Sequence, residues 1–267
     1  MKLEEIYARE LVKLTAHPDF VTQGGLNAAL RLLAKWRSKL VDNTLVATCG
    51  TTIRSGPFQG MDFVASASEA NVSPRILGNY EAELHEVIER IIASNYNYIV
   101  DIGCADGYYA CGFAYRMPGV KVDAFDINPV AQKLCADLAR KNGLSDRITI
   151  GGEFRGSDFS RYVDRDALVF MDAEGVEEVL LDPALYPALG RLSILVECHD
   201  VFKPSISRTL ADRFDATHDI VRVEPKMRSC DLPPVFTNMS HMDQLLAIWE
   251  WRMGPTPWLY LTPKASA

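Results

Sequence analysis

Two rhythms of apolar and polar residues run along this chain, and the change between them falls near residue 78. Before it, helical patterns appear over roughly 3–15 and 25–40, the second with Leu26, Leu30, Leu33 and Leu40 loosely on one face. Between them His17-Pro18 and Gly24-Gly25 punctuate the chain. The later run Ser55-Gly56-Pro57-Phe58-Gln59-Gly60-Met61 favours turns and defined loops over a regular element.

From residue 79 the alternation is clean. Leu84, Val87, Ile88 and Ile91 recur at i, i+3, i+4 and i+7 and predict an amphipathic helix. Tyr98 to Ile102 is a short β-prone run, followed by a Gly-rich turn at 103–107 and a helix to about residue 116. Lys121 to Asp126 reads as a second strand. Asn128-Pro129 then gives an N-cap and an N1 proline to a helix that stops at Asn142-Gly143. Further strands are predicted at 147–151, 167–172, 192–198, 218–224 and 257–262, with helices between most of them. One of those helices opens at Ser240, with Asp243 near its N-terminus. The pattern is that of an α/β fold with an open, mostly parallel sheet over residues 79–267, preceded by a helical and loop cap over residues 1–78.

Composition narrows the partners. Apolar residues make up 48% of the 267 and charged ones 24%, enough to bury a core. No apolar run approaches the roughly 18 residues that span a bilayer, so no membrane partner is expected. Met1-Lys2-Leu3-Glu4-Glu5 is too acidic for a secretory or mitochondrial leader. The six cysteines form no C-x-x-C pair and read as free thiols of a cytoplasmic protein. A net charge of −7 with no basic cluster disfavours nucleic acid. Oligomeric state is not legible. His17, His85, His218 and His241 are expected at the surface or in caps.

The sharpest feature is Asp101-Ile-Gly103-Cys-Ala105-Asp106-Gly107, a strand ending in an acid followed by a glycine turn and a helix. Ligands of such sheets sit at the carboxyl ends of the strands. A dinucleotide site needs G-x-G-x-x-G, but Ala105 and Tyr108 occupy the third and sixth positions and that fingerprint fails. The next strand ends at Asp126, which can accept hydrogen bonds from ribose hydroxyls.

Together these features resemble motifs I and II of class I S-adenosylmethionine-dependent methyltransferases. The resemblance implies a seven-stranded Rossmann-like sheet whose last strand is antiparallel. It also implies that Asp101, Gly103 and Gly107, with Ala105 in the turn, lie along the methionine half of S-adenosyl-L-methionine. Asp126 would hold the ribose and Ile127 would flank the adenine. Asp172-Ala-Glu174-Gly175-Val-Glu177, Glu197-Cys-His199 and Tyr80-Glu81-Ala-Glu83-Leu84 resemble segments of the FkbM-like branch. Tyr80 and Glu81 can touch the cofactor's methionine end, Glu81 pairing with the α-ammonium; Glu81 can equally be an acid favoured by a helix N-terminus. Trp249 and Trp251 read as packing residues.

Asp172, Glu174, Glu197, His199 and Asp200 should face the same crevice, and three readings stay open. They can be general bases, with His199 the best single candidate and Asp172 and Glu174 beside it. Asp172, Glu197 and His199 can hold Mg²⁺. They can also be structural, with Glu174 capping a helix and Glu197 pairing with a buried arginine. The function implied is methyl transfer to a small-molecule acceptor, at a hydroxyl of a sugar or natural product. A non-catalytic S-adenosylmethionine-binding protein and a nicotinamide-dependent oxidoreductase are the alternatives.

Overall fold

The computed structural model describes residues 2–64 and 71–264. It opens with helices α1 (Leu3–Ala16), α2 (Gln23–Cys49), α3 (Val72–Leu77) and α4 (His85–Ala93). Then come β1 (Tyr98–Ile102), α5 (Tyr108–Arg116), β2 (Lys121–Phe125), α6 (Pro129–Lys141), β3 (Ile148–Gly151) and β4 (Ala167–Met171). The chain continues through α7 (Glu177–Leu180), β5 (Ser193–Glu197), α8 (Ile206–Phe214), β6 (His218–Val223), α9 (His241–Ala247) and β7 (Trp258–Pro263).

The strands form one seven-stranded sheet in the order β3-β2-β1-β4-β5-β7-β6. Strands β1 to β5 pair in parallel, and β7 runs antiparallel to both β5 and β6. The fold class and the reversed last strand are as expected. Among the described residues, no helix is long and apolar enough to cross a membrane.

Side-chain alternation explains why the central strands read as near-continuous apolar runs, because both faces are covered. Ile99, Leu168, Phe170 and Leu195 pack on one face with α4, α5 and α6. Val100, Val169, Met171, Ile194 and Val196 pack on the other with Phe159, Leu210 and Phe214. Register then sets the site. Ile102 stands opposite Phe125 and Met171, and Met171 opposite Val196. Gly103, Asp126, Asp172 and Glu197 therefore emerge at one carboxyl edge.

The first part of the chain departs from its pattern. Helix α2 runs 27 residues, well past the expected end near 40. Its Leu26, Leu30 and Leu33 are exposed, while Ala29, Ser38, Val41, Asp42 and Leu45 are buried. Its contacts with the body begin at Arg31, which donates to the Trp251 carbonyl, and are densest in its second half. There Asp42 accepts from the backbone N–H and hydroxyl of Ser73 at 2.8 and 2.6 Å, and Arg37 pairs in two-pronged fashion with Asp243 of α9 at 2.6 and 2.7 Å. The loop at 51–63 is also part of the core: Ile53, Phe58, Met61 and Phe63 are buried in the cluster that holds Val87, Ile99 and Phe113. A Cβ on Gly112 would come within 2.6 Å of the Phe58 ring, so glycine makes room for it on α5. One histidine is misplaced by the sequence reading: His218 is 1% exposed, its Nε2 3.0 Å from the Leu192 carbonyl.

Candidate functional site

A cavity of about 540 Å³ opens at the carboxyl edge of β1, β2 and β4. Gly103, Ala105, Asp126, Ile127, Asp172 and Glu174 are on its wall, with Phe125, Phe154 and Leu180 supplying apolar surface. Asp101, Gly107, Tyr80, Glu81, Glu197 and His199 are not on it.

The glycine turn is dictated by the chain's own packing. Gly103 has φ of 87°, and a Cβ there would lie 1.8 Å from the Asp172 carbonyl oxygen. Gly107, at φ 86°, would press a Cβ to 2.8 Å from Cys135 Sγ. Only glycine fits both positions without strain. Ala105 takes the left-handed region without being glycine, at φ 46°. Its N–H donates to Asp126 Oδ2 at 3.0 Å, while the Asn128 N–H donates to Oδ1 at 2.8 Å. The turn and the second strand thus fix one carboxylate on the cavity wall. Each of its oxygens keeps a further lone pair for a ligand. Ile127 beside it is 80% exposed.

Asp101 is buried, and neither of its carboxylate oxygens has a hydrogen-bond partner of good geometry. Burial, then the neighbouring Cys135 and Asp126, holds its carboxyl well above the usual range.

Behind Asp172 lies a compact cluster. His199, 6% exposed, stacks on Phe202 with ring centroids 5.6 Å apart. Its Nδ1 lies 2.6 Å from Glu177 Oε1, and that oxygen also accepts from the Gly175 N–H at 3.0 Å. Glu177 is fully buried. A carboxylate at Nδ1 demands the proton there, so Nε2 is turned toward Glu197 Oε2 at 3.4 Å and Asp172 Oδ1 at 3.6 Å. Burial opposes the imidazolium, but the hydrogen bond it donates to Glu177 and the charges of Glu197, Glu177 and Glu174 outweigh it and raise the His199 pKa. Burial, the Glu197 charge and a hydrogen bond shared with Glu197 push the Asp172 carboxyl well up. Of Asp172, Glu177, Glu197 and His199 only Asp172 reaches the cavity, so His199 stands behind the acid it was expected to lead. Glu174 is exposed at the mouth with φ 44°, and caps no helix.

Glu197 does meet an arginine, though a half-buried one. Its Oε1 accepts from Arg252 Nη1 at 2.9 Å, and Arg252 also pairs with Glu81, Glu83 and Glu250. Glu81 is accordingly occupied: Arg252 Nη2 donates to it at 3.0 Å and the Tyr109 hydroxyl donates to its other oxygen. The partner expected for Glu81, an ammonium, has its place taken by this guanidinium. Burial lifts Glu81 to about 8, with Arg252 pulling the other way. Tyr80 packs edge-on against Tyr108 at 5.4 Å with the Arg75 guanidinium over its ring at 4.4 Å. Sequence reasoning missed Arg252, which sits in an aperiodic loop, and gave Glu177 no role, although Glu174-Gly175-Val-Glu177 was in view.

No protein-family model matches the chain. It is 32% identical over 93 residues to the release factor glutamine methyltransferase of Moorella thermoacetica, a match covering 35% of this chain and 31% of that relative. The chain therefore spans under a third of the length of that curated relative. It is similar to a solved O-methyltransferase from Bacillus cereus in complex with SAH, at 8% identity and TM-score 0.45, over 84% of this chain and 90% of that one. It is also similar to the O-methyltransferase TomG of Streptomyces achromogenes, involved in tomaymycin synthesis and solved with SAM. There the identity is 11% and the TM-score 0.44, over 70% of this chain and 81% of that one.

Proposed function

We propose that this protein transfers a methyl group from S-adenosyl-L-methionine to a hydroxyl of a small molecule. The observation that carries the reading is that Asp126, held by two backbone amides, and Asp172, backed by an acid–histidine cluster, face one cavity of about 540 Å³. The residues fit the cofactor. Asp126 would hold the ribose, Ile127 and Phe125 would flank the base, and the buried Asp101 carboxyl would lie toward the methionine half. When bound, S-adenosylmethionine supplies an electrophilic methyl group.

The chain's own contribution is alignment and a proton acceptor. A hydroxyl beside Asp172 passes its proton to the Asp172 carboxylate as its oxygen attacks. Burial and the Glu197 charge raise the Asp172 pKa, which makes its carboxylate a stronger base than a free one. Glu177 orients His199, and His199 steadies the charge that gathers on the two acids. The segments that supply these groups, Asp172 to Glu177 and Glu197 to His199, are those that resemble the FkbM-like branch, which supports a sugar or natural-product hydroxyl as acceptor. A net charge of −7 supports a small molecule over a nucleic acid.

A second reading has its own observation. Asp172, Glu197 and His199 each offer a ligand atom, all within 4.8 Å of one another. A carboxylate on the far nitrogen, as Glu177 provides, is how metal-binding histidines are oriented. The imidazole in the set suits Mn²⁺ or Zn²⁺ better than Mg²⁺.

Both readings are tested by following S-adenosylhomocysteine production over a panel of sugar and phenol acceptors, with and without Mn²⁺. Asp172→Asn should abolish turnover and leave cofactor binding intact. Full turnover in that variant removes Asp172 from the reaction, and turnover unaffected by chelator removes the metal.

A further inference from the structure

The first helical hairpin leaves much of its apolar surface open. No residue of α1 is buried, and α2 buries only Ala29 before Ser38. Leu26, Leu30 and Leu33 are 55%, 68% and 42% exposed, and their i, i+4, i+7 spacing sets them in one stripe along α2. One turn past Leu33 the stripe reaches Arg37, which turns aside to pair with Asp243 of α9 at 2.6 and 2.7 Å. Met242 and Leu245, to either side of Asp243 in the chain, are 60% and 57% exposed and extend the apolar surface onto α9.

Exposed helix faces are ordinarily polar and charged. This one is not. No charged residue occurs between Asp19 and Arg31, and the exposed neighbours of the leucines include Gln23 and Asn27. A strongly charged partner of either sign finds no complementary group on the stripe. A net charge of −7 sets two copies of the chain against each other, and an uncharged stripe is where they approach with least repulsion. The area also suits a dimer. Leu26, Leu30, Leu33, Met242 and Leu245 expose on the order of 500 Å² of apolar surface, so two copies face to face cover about 1,000 Å², the threshold of a specific interface.

We propose that this face binds a second copy of the chain, about a two-fold axis beside Leu30 with the two α2 helices antiparallel. A two-fold axis presents the same face from both sides, so the surface has to complement itself. Leu30 then packs on Leu30 of the other copy, and Leu26 on Leu33. The i, i+4, i+7 spacing is the seam that paired helices use. The side chains on α9 extend the contact at each end of the seam.

Sedimentation equilibrium of the full chain at micromolar concentrations reads the assembly directly, and twice the chain mass is expected. Leu30→Glu sets two carboxylates against each other at the axis and should weaken the dimer about 100-fold or more. Leu33→Glu is the second variant and should act in the same direction. Val221→Glu, at a position 40% exposed on β6, should leave the dimer as it is. Far-UV circular dichroism matching the parent shows that each variant is folded, as expected where the single copy leaves these side chains in solvent. A parent that stays monomeric, a dimer that survives both leucine variants, or a dimer lost equally in Val221→Glu overturns the inference.

Discussion

Replacing Glu177 with glutamine removes one negative charge from the cluster while keeping its shape. In the folded chain Glu177 has no solvent exposure, and its Oε1 lies 2.6 Å from His199 Nδ1. Hydrogen bonds to charged partners contribute about 1.5–3 kcal/mol. Losing that bond lowers the His199 pKa, since the contact with Glu177 is what most offsets the burial of the imidazolium. Glu197, 3.4 Å from Nε2, still supports the imidazolium and keeps the fall from being larger. The sign for stability follows from the raised folded-state pKa. The imidazolium's contribution is fully present below the unfolded histidine value of about 6.5 and is lost as pH rises through the folded value. Glu177→Gln should therefore destabilise the protein by about 2 kcal/mol at about pH 5.5 and by clearly less at about pH 9. NMR titration of the His199 ring protons and urea unfolding at both pH values measure these effects. An unchanged His199 titration, or a destabilisation equal at both pH values, refutes the assignment of this pair as a charge-assisted contact.

Three further outcomes are expected. Asp126→Ala should weaken S-adenosylhomocysteine binding by about 10- to 100-fold, the worth of hydrogen bonds to a charged group, as read from a titrated thermal shift; unchanged affinity removes Asp126 from the ribose site. Gly103→Ala should cost about 3 kcal/mol or more in urea unfolding, because a Cβ 1.8 Å from the Asp172 carbonyl forces β4 away from the turn; a loss under about 1 kcal/mol shows that the turn relaxes freely. Phe58→Ala should cost about 3–5 kcal/mol, since Phe58 is 1% exposed and packs edge-on against Tyr108 at 5.3 Å; a negligible loss puts the 51–63 loop outside the core.

The sheet was legible because its strands are short apolar runs separated by turn chemistry that can be read locally. Asn128-Pro129 opens α6 and its Asn128 side chain accepts from the Val130 N–H, as cap chemistry predicts. The carboxyl-edge acids followed from strand register alone. The N-terminal part was less legible because α2 is amphipathic with respect to different neighbours along its length. Its leucines at 26, 30 and 33 are exposed, whereas Asp42 is buried to hold α3. Arg252 is the clearest omission. The loop that carries it has no periodicity and is held by contacts distant in sequence, including Asn71 Nδ2 on the Leu246 carbonyl and Trp251 Nε1 on Ser38. Ion pairs between residues 55 and 171 positions apart leave no local trace. Glu177 was visible as a residue but not as a partner, because β5 brings His199 to it only once the sheet has formed.

The central claim is that the cavity at the carboxyl edge of β1, β2 and β4 is a site for S-adenosylmethionine. Isothermal titration of the intact chain with S-adenosylmethionine and then S-adenosylhomocysteine tests it most directly. The account predicts one-site binding of both at micromolar concentration, with NADH giving no heat. Absence of binding by either sulfur compound contradicts it.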